Sequence, residues 1–461
     1  MTSLTILQSA VKPKRVVLVD LGYPYGKKVY MSGSVVAVAA QLMAAGHQVD
    51  IVDFNIDNPN DERVRSLFIQ ADIIGASVMG SPGIPRAMQF ISDIPWKIPN
   101  TLMLLGGQVI SRFSPEQFGL VFGARVNQAT KENVGEIFGH LPSAYSISYQ
   151  AVWENMGDRR LREYLSYEFA LVLSQGCIFD CDFCSADKDQ PEFFRDLSVF
   201  RADLKYLLLK ARKFGLTGVE CYASSLDFFQ TPKVVFLYLE AMAEVQKETC
   251  IKLSARCLTC MNTFLAASKQ RSDFSELVNR SGLWCLGFGV DGPTKEDWDE
   301  QNKFQNRMAD IDPCFDLCQQ MGVRAEVLTV MGYPHHTAKR LLKTAQHLSS
   351  FVRRWSNTVL RPYIARTVLP GNKGWKTQTA VVEKLVGNPQ QFYNLDICGL
   401  ANSTTHPNRW QRWLVNVAYL YIILRYAPFA RCATSPLLPQ GGTGRFAKFA
   451  KIVNRRMPFD R

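Results

Sequence analysis

The sequence predicts an α/β protein: a doubly wound parallel sheet, then a partial (βα)6 barrel, then a mostly helical end. Three observations predict it. Short runs of valine, isoleucine and leucine alternate with helical patterns from residue 15 onward. That rhythm stops over residues 141–167 and restarts at Glu168. Beyond residue 375 the strand pattern is gone and helical patterns remain. Strands that alternate with helices pair in parallel, because each helix carries the chain back across the sheet.

In the first segment Arg15–Asp20 (RVVLVD) reads as a buried strand, and residues 35–45 as a helix closed by Gly46. Gln48–Asp53 (QVDIVD), residues 71–78 (ADIIGASV) and residues 101–105 supply three more strands. Ligands of such sheets bind outside the carboxyl ends of the strands. Residues 141–167 read as a connector with one short helix. Six further strands are expected at 168–173, 218–222, 251–255, 284–290, 324–331 and 358–363, with helical patterns such as 202–213, 234–246 and 314–321 between them. Six repeats fall short of a closed eight-stranded barrel. The expected division is a first domain over 1–140, the connector, a core barrel over 168–375 and a helical region over 376–461.

With 461 residues and 47% apolar composition, the chain can build several cores. Its start shows no secretory pattern, and its longest late apolar run, 414–424, is about half a membrane span. The expectation is a soluble, cytoplasmic protein. In that setting twelve cysteines read as thiols and a metal site rather than disulfides. The net charge of +12 is densest at Arg353, Arg354 and residues 445–461. It reads as a solvated basic surface; an acidic substrate, a membrane surface or RNA are the sharper alternatives, and no nucleic-acid motif is visible.

The segment 174–184, SQGCIFDCDFC, begins where the first barrel strand should end. Cys177, Cys181 and Cys184 have three and two residues between them. Three thiolates on one loop can hold three irons of a cubane cluster and leave one open for a substrate. Zinc fits less well, because its structural sites take four ligands. The other cysteines form no second triad; Cys257 and Cys260 make a CxxC that reads as structural, with redox chemistry or a second metal as the alternative.

The CxxxCxxC pattern, with Phe183 before its last cysteine, resembles the radical S-adenosylmethionine superfamily. The resemblance implies a [4Fe–4S] cluster on Cys177, Cys181 and Cys184. It also implies S-adenosylmethionine on the open iron, a 5′-deoxyadenosyl radical, and an electron donor such as flavodoxin or ferredoxin. Later segments match in order. Residues 220–227 (ECYASSLD) resemble the segment that meets the methionine amino group, with Glu220, Ser224 or Ser225 as the contact. Ser254 and Arg256 (SAR) resemble the carboxylate and ribose site, and Asp291 in GFGVDG the ribose-binding carboxylate. Asn302 and Lys303 resemble a downstream NK pair, Met331 in MGYP the adenine segment, and Pro370 with Gly371 the PG after the sixth strand. Tyr333, His335 and His336 follow the fifth strand as candidate acids or bases, with solvent exposure as the plainer reading.

Residues 45–53 (AGHQVDIVD), 72–77 (DIIGAS) and 106–108 (GGQ) resemble the Rossmann-like cobalamin-binding domain found ahead of many such enzymes. That implies cobalamin held by Tyr25 from the loop 21–33, by Ser77, Val78 and Met79, and by Gly106, Gly107 and Gln108. Gly75 and Gly107 are expected to let backbone approach the ring. The loop carries no DxHxxG, so no protein imidazole is expected beneath cobalt, and His47 reads as structural. Residues 127–136 (NQATKENVGE) depart from the family's GEGE, which leaves open a sheet without its ligand.

The leading functional reading is a cobalamin-dependent radical S-adenosylmethionine methyltransferase acting on an unactivated carbon of a small molecule. A ring-forming, ring-contracting or rearranging enzyme with the same cofactors is the alternative. A non-catalytic iron–sulfur or cobalamin-binding regulator is the alternative of a different class. Trp410, Trp413, Tyr419, Tyr421 and Tyr426 pack on the barrel or cover a hydrophobic substrate, and the basic tail could touch a membrane surface weakly.

Overall fold

Fourteen strands form among the residues described by the computed structural model, which are 12–22, 29–93, 101–186, 191–292, 294–396, 399–426 and 432. The β-branched runs pair first. Strands β1 (Arg15–Asp20), β3 (Gln48–Asp53), β4 (Ile73–Ser77), β5 (Leu102–Gly106) and β6 (Asn127–Gln128) make one parallel sheet in the order β3-β1-β4-β5-β6. The register sets Asp20 beside Ser77 and Ser77 beside Gly106, so the carboxyl ends of three strands share one edge.

Both faces of this sheet are covered, which is why its strands read as continuous apolar runs rather than alternations. Val16, Leu18, Ile51 and Leu104 face the helix Gly33–Ala44 and the connector. Val17, Val19, Ile74 and Leu105 face the other way, in one core with Val64, Phe68, Ile84 and Phe118 of the following helices. Trp375, Val382, Leu385 and Phe392, from beyond the last strand, complete that second layer. The Phe113 ring meets Trp375 edge-on at 5.3 Å.

The second sheet holds β2 (Tyr30–Met31), β7 (Glu168–Val172), β10 (Gly218–Ser224), β11 (Lys252–Thr259), β12 (Leu283–Gly289), β13 (Arg324–Met331) and β14 (Thr358–Ile364). Its order is β14-β13-β12-β11-β10-β7-β2, all parallel, with helices crossing between consecutive strands from β7 on. Two short strands, β8 (Ser174–Gln175) and β9 (Phe193–Phe194), pair antiparallel and clamp the neck of the cysteine loop.

Strand β2 corrects one expectation. The loop 21–33 does not belong wholly to the first sheet: Tyr30 and Met31 pair with Glu168 and Phe169. The free edge of β7 would otherwise leave backbone N–H and C=O groups without partners. The connector holds two helices rather than one, Gln150–Met156 and Asp158–Leu165. It is tied to the first sheet by Tyr164, whose hydroxyl donates to Asp53 at 2.8 Å, and by Asn155, which donates to the Val49 carbonyl at 2.7 Å.

Candidate active site

The cysteine loop leaves the carboxyl end of β7 through Gly176, whose φ of +101° suits glycine. Its shape is held from several sides. Ser174 donates to Glu192 at 2.7 Å, and the Ile178 amide donates to Gln230 at 3.0 Å. The Asp182 amide donates to the Gln301 carbonyl at 2.9 Å, and Asn302 donates to the Asp180 carbonyl at 2.6 Å. Between these anchors Cys181 is buried, and Cys177 and Cys184 are half-buried. The described cysteines are all free thiols. Burial pushes the Cys177 thiol up to about 11, and burial also raises Cys181. As bare thiols they stay protonated at neutral pH, whereas a bound metal ionises a coordinating thiol. Three such groups on one clamped loop fit an iron–sulfur cluster.

Two groups approach Cys181 from the segment after β12. Gln305 points its side-chain amide at the Cys181 sulfur, 3.3 Å away. Lys303 is buried, ion-paired with Asp291, and stands 5.5 Å over the Phe183 ring. Gly289 leaves room for this pair: a β-carbon on it would lie 2.7 Å from the Lys303 Nζ and 3.0 Å from the Asp291 Oδ2. The Asp291 carboxylate, predicted to face a ribose, thus has Lys303 as its first partner.

The second sheet's carboxyl end also gathers buried polar atoms that no group among the described residues satisfies: the Ser225 hydroxyl, Asp227 Oδ2, the Thr329 hydroxyl, the Tyr333 hydroxyl and both ring nitrogens of His336. An unsatisfied buried group costs about 1–3 kcal/mol. Their gathering beside the cysteine loop therefore fits a polar ligand such as a nucleoside with an amino-acid tail. Asp227 is 1% exposed; its Oδ1 accepts from Thr259 at 2.7 Å, Thr263 at 2.9 Å and the Cys260 amide at 3.0 Å, and burial raises its pKa. Met331, at the end of β13, is buried in the core.

The strand register locates three more of the predicted contacts. Glu220 is exposed and level with Glu168, the first residue of β7, so it stands toward the amino end of β10. Ser254 lies at the same level on β11. Arg256, predicted to meet a cofactor carboxylate, makes a two-pronged ion pair with Glu168, its Nη2 donating at 2.9 Å, above the Tyr222 ring. Glu326 likewise takes Arg361 in a fork, at 2.6 and 3.0 Å. These pairs satisfy charges within the sheet. Ser224 ends β10 and does reach the loop's base, accepting at its carbonyl from the Leu173 amide at 3.2 Å.

Ser77, Val78, Met79, Gly106, Gly107 and Gln108 collect at the carboxyl edge of the first sheet. Gln108 donates to the Ser185 carbonyl at 2.9 Å, so this edge faces the cysteine loop. A cleft of about 280 Å³ opens there, lined by Arg112, Asp180, Asp182, Asn302, Gly371 and Lys373 among others. Met79 is 64% exposed on that edge, an apolar surface left open. The glycines have a nearer reason than a ligand: a β-carbon on Gly107 would lie 2.6 Å from the Val78 carbonyl oxygen, and one on Gly75 3.0 Å from Leu18. Small residues and an open Met79 fit a flat ligand between the sheets; Tyr25 lies outside the described residues. His47 is buried, accepts from the Lys14 amide at 3.2 Å and meets Phe138 edge-on.

His335 is exposed and bonds Glu300 at 2.9 Å, so it matches the plainer reading. His336 is buried 3.7 Å from Asp297, and burial lowers its pKa to about 4, with Arg340 adding to the effect. Its folded pKa lies below the unfolded value near 6.5, so the unfolded chain binds more protons between the two. The stability this neutral ring preserves is complete above about pH 6.5 and is lost as pH falls toward 4. His336→Phe is expected to flatten that part of a urea-midpoint profile; an unchanged slope would place the titration elsewhere.

No protein-family model matches the chain, and no curated protein matches it in sequence. Solved structures do match it in shape. The radical S-adenosylmethionine methyltransferase TsrM from Kitasatospora setae, with cobalamin and a [4Fe–4S] cluster bound, aligns with a TM-score of 0.60 at 13% identity, over 80% of this chain and 78% of that one. The cobalamin-dependent S-adenosylmethionine radical enzyme OxsB, without cofactors, aligns with a TM-score of 0.63 at 12% identity, over 97% of this chain and 71% of that one. OxsB with aqua-cobalamin and S-adenosylmethionine gives 0.56 at 14% identity, over 83% and 56%. The chain therefore has the mixed α/β fold of the cobalamin-dependent radical S-adenosylmethionine enzymes.

Proposed function

We propose that this protein is a cobalamin-dependent radical S-adenosylmethionine methyltransferase acting on an unactivated carbon of a small molecule. One observation carries the reading: the Cys177–Cys181–Cys184 loop at the end of β7 is joined by the Gln108–Ser185 bond to the carboxyl edge of the first sheet. A cluster on one side and a corrin on the other would then address a substrate between them. When bound, these cofactors supply a 5′-deoxyadenosyl radical and a transferable methyl group.

The chain's own residues bind, orient and exclude water. Cys177, Cys181 and Cys184 hold the cluster. Ser225, Asp227 and Tyr333 offer the polar atoms left open to S-adenosylmethionine, with Ser224 at their base. Lys303 and Gln305 place positive charge and an N–H beside the Cys181 sulfur, which favours the reduced cluster. Ser77, Val78, Met79 and Gly106–Gln108 form the edge for cobalamin. Residues 168–375 serve as a partial (βα)6 barrel, and residues 1–140 as the cobalamin domain.

The test is product analysis under strong reductant without oxygen. Methyl transfer predicts S-adenosylhomocysteine and 5′-deoxyadenosine together. 5′-Deoxyadenosine alone would point to rearrangement, and neither product would point to a regulator. Gln305→Leu is expected to move the cluster's midpoint potential to a more negative value without loss of iron. An unchanged potential would remove Gln305 from this role.

A further inference from the structure

The helix Arg409–Tyr426 is apolar on two opposite faces. Val415, Tyr419, Ile422, Ile423 and Tyr426 point inward and are buried. Trp410, Trp413, Val417, Tyr421 and Leu424 recur at steps of three and four residues, which places them on one outward stripe. Their exposures run from 46% to 76%. The stripe extends roughly 20 Å at 1.5 Å per residue. A contiguous exposed apolar stripe marks an interaction surface, so the outward stripe implies a partner.

Charge identifies that partner. Residues 409–461 contain ten basic residues (Arg409, Arg412, Arg425, Arg431, Arg445, Lys448, Lys451, Arg455, Arg456 and Arg461) against one acidic residue, Asp460. That is +9 of the chain's +12 in its last 53 residues. The helix itself has three arginines and no acid. Tryptophan and tyrosine beside arginine suit the interface of a bilayer, where rings lie at the headgroup level and guanidinium groups meet lipid phosphate. Each basic residue near an anionic surface adds to the attraction. No helix among the described residues is long and apolar enough to cross a membrane, so the fit is to lying on the surface.

We propose that the outward face of Arg409–Tyr426 docks on an anionic lipid bilayer. The inward face fixes where that docking occurs. Val415 packs on Gly332, and Gln411 donates to the Tyr333 and His336 carbonyls at 3.2 and 3.3 Å. Docking thus holds the rim of the candidate active site at the lipid surface.

The experiment is co-sedimentation of the full chain with vesicles of phosphatidylcholine alone or with phosphatidylglycerol added. Binding to the anionic vesicles, weakened by salt, is expected. A Trp410→Glu, Trp413→Glu, Tyr421→Glu variant is expected to lose at least about tenfold in vesicle affinity, about 1.4 kcal/mol. The changed side chains are exposed, and unchanged circular dichroism and iron content check the fold. Three outcomes overturn the proposal: no binding to either vesicle at low salt, binding that the variant retains in full, or a dimer that the same substitutions dissociate. The second would assign binding to charge alone, and the third to a second copy of the chain.

Discussion

Cys177→Ala, Cys181→Ala and Cys184→Ala should each reduce reconstituted iron from about four per chain to background. Each should also abolish reductive cleavage of S-adenosylmethionine. The loop offers these three thiols in one clamped turn, and two thiolates cannot hold a cubane against water and thiol competitors. Cys181 is the most telling of the three, because it is buried and receives the Gln305 amide. The fold should survive, since the loop is held by its backbone bonds to Gln301, Gln230 and Asn302 rather than by sulfur. Cys250→Ser, at an exposed cysteine, is the control and should keep its iron. Full iron and turnover in any of the three alanine variants would remove that cysteine from the cluster.

Lys303→Met should destabilise the protein by roughly 3–5 kcal/mol, the usual cost of leaving a buried charge without its partner. Lys303 and Asp291 are 5% and 8% exposed at their side chains. Asp291 also holds a positive φ of 44°, so the turn that carries it is already unfavourable for a side chain. Adding Asp291→Asn to Lys303→Met should recover a large part of the loss, because no bare carboxylate then remains. Urea denaturation of the two variants measures both effects. A change under about 1 kcal/mol, typical of exposed pairs, would mean that water reaches the pair.

The strands were the most readable part of the chain. Arg15–Asp20, Gln48–Asp53 and Arg324–Met331 have the expected bounds, because strands covered on both faces are mostly apolar, here with single polar residues such as Asp50, Glu326 and Thr329 between the apolar ones. Strand β2 was hidden: Tyr30–Met31 is two residues long and exists through its pairing with β7, 138 positions further on by the Tyr30–Glu168 register. The cysteine loop was legible in its spacing alone. Its surroundings were not, since sequence distance conceals contact. Arg256 meets Glu168 across 88 positions, and Gln305 meets Cys181 across 124. Within ECYASSLD the spacing left Glu220, Ser224 or Ser225 as the contact; the register puts Glu220 toward the amino end of β10 and Ser224 at its carboxyl end, while Asp227, close enough to Cys177 to act on its thiol, was not among them. The aromatic end of the chain divided by helical phase: Tyr419 and Tyr426 pack inward, and Trp410, Trp413 and Tyr421 face out.

Iron and cobalt content per chain tests the central claim most directly, on protein made with cobalamin present and purified without oxygen. The account predicts about four irons and about one cobalt, with the iron lost in Cys181→Ala and the cobalt retained. Iron without cobalt would leave radical chemistry to the cysteine loop but remove methyl transfer and the role given to the first sheet. No iron, even after reconstitution, would contradict the account at its base.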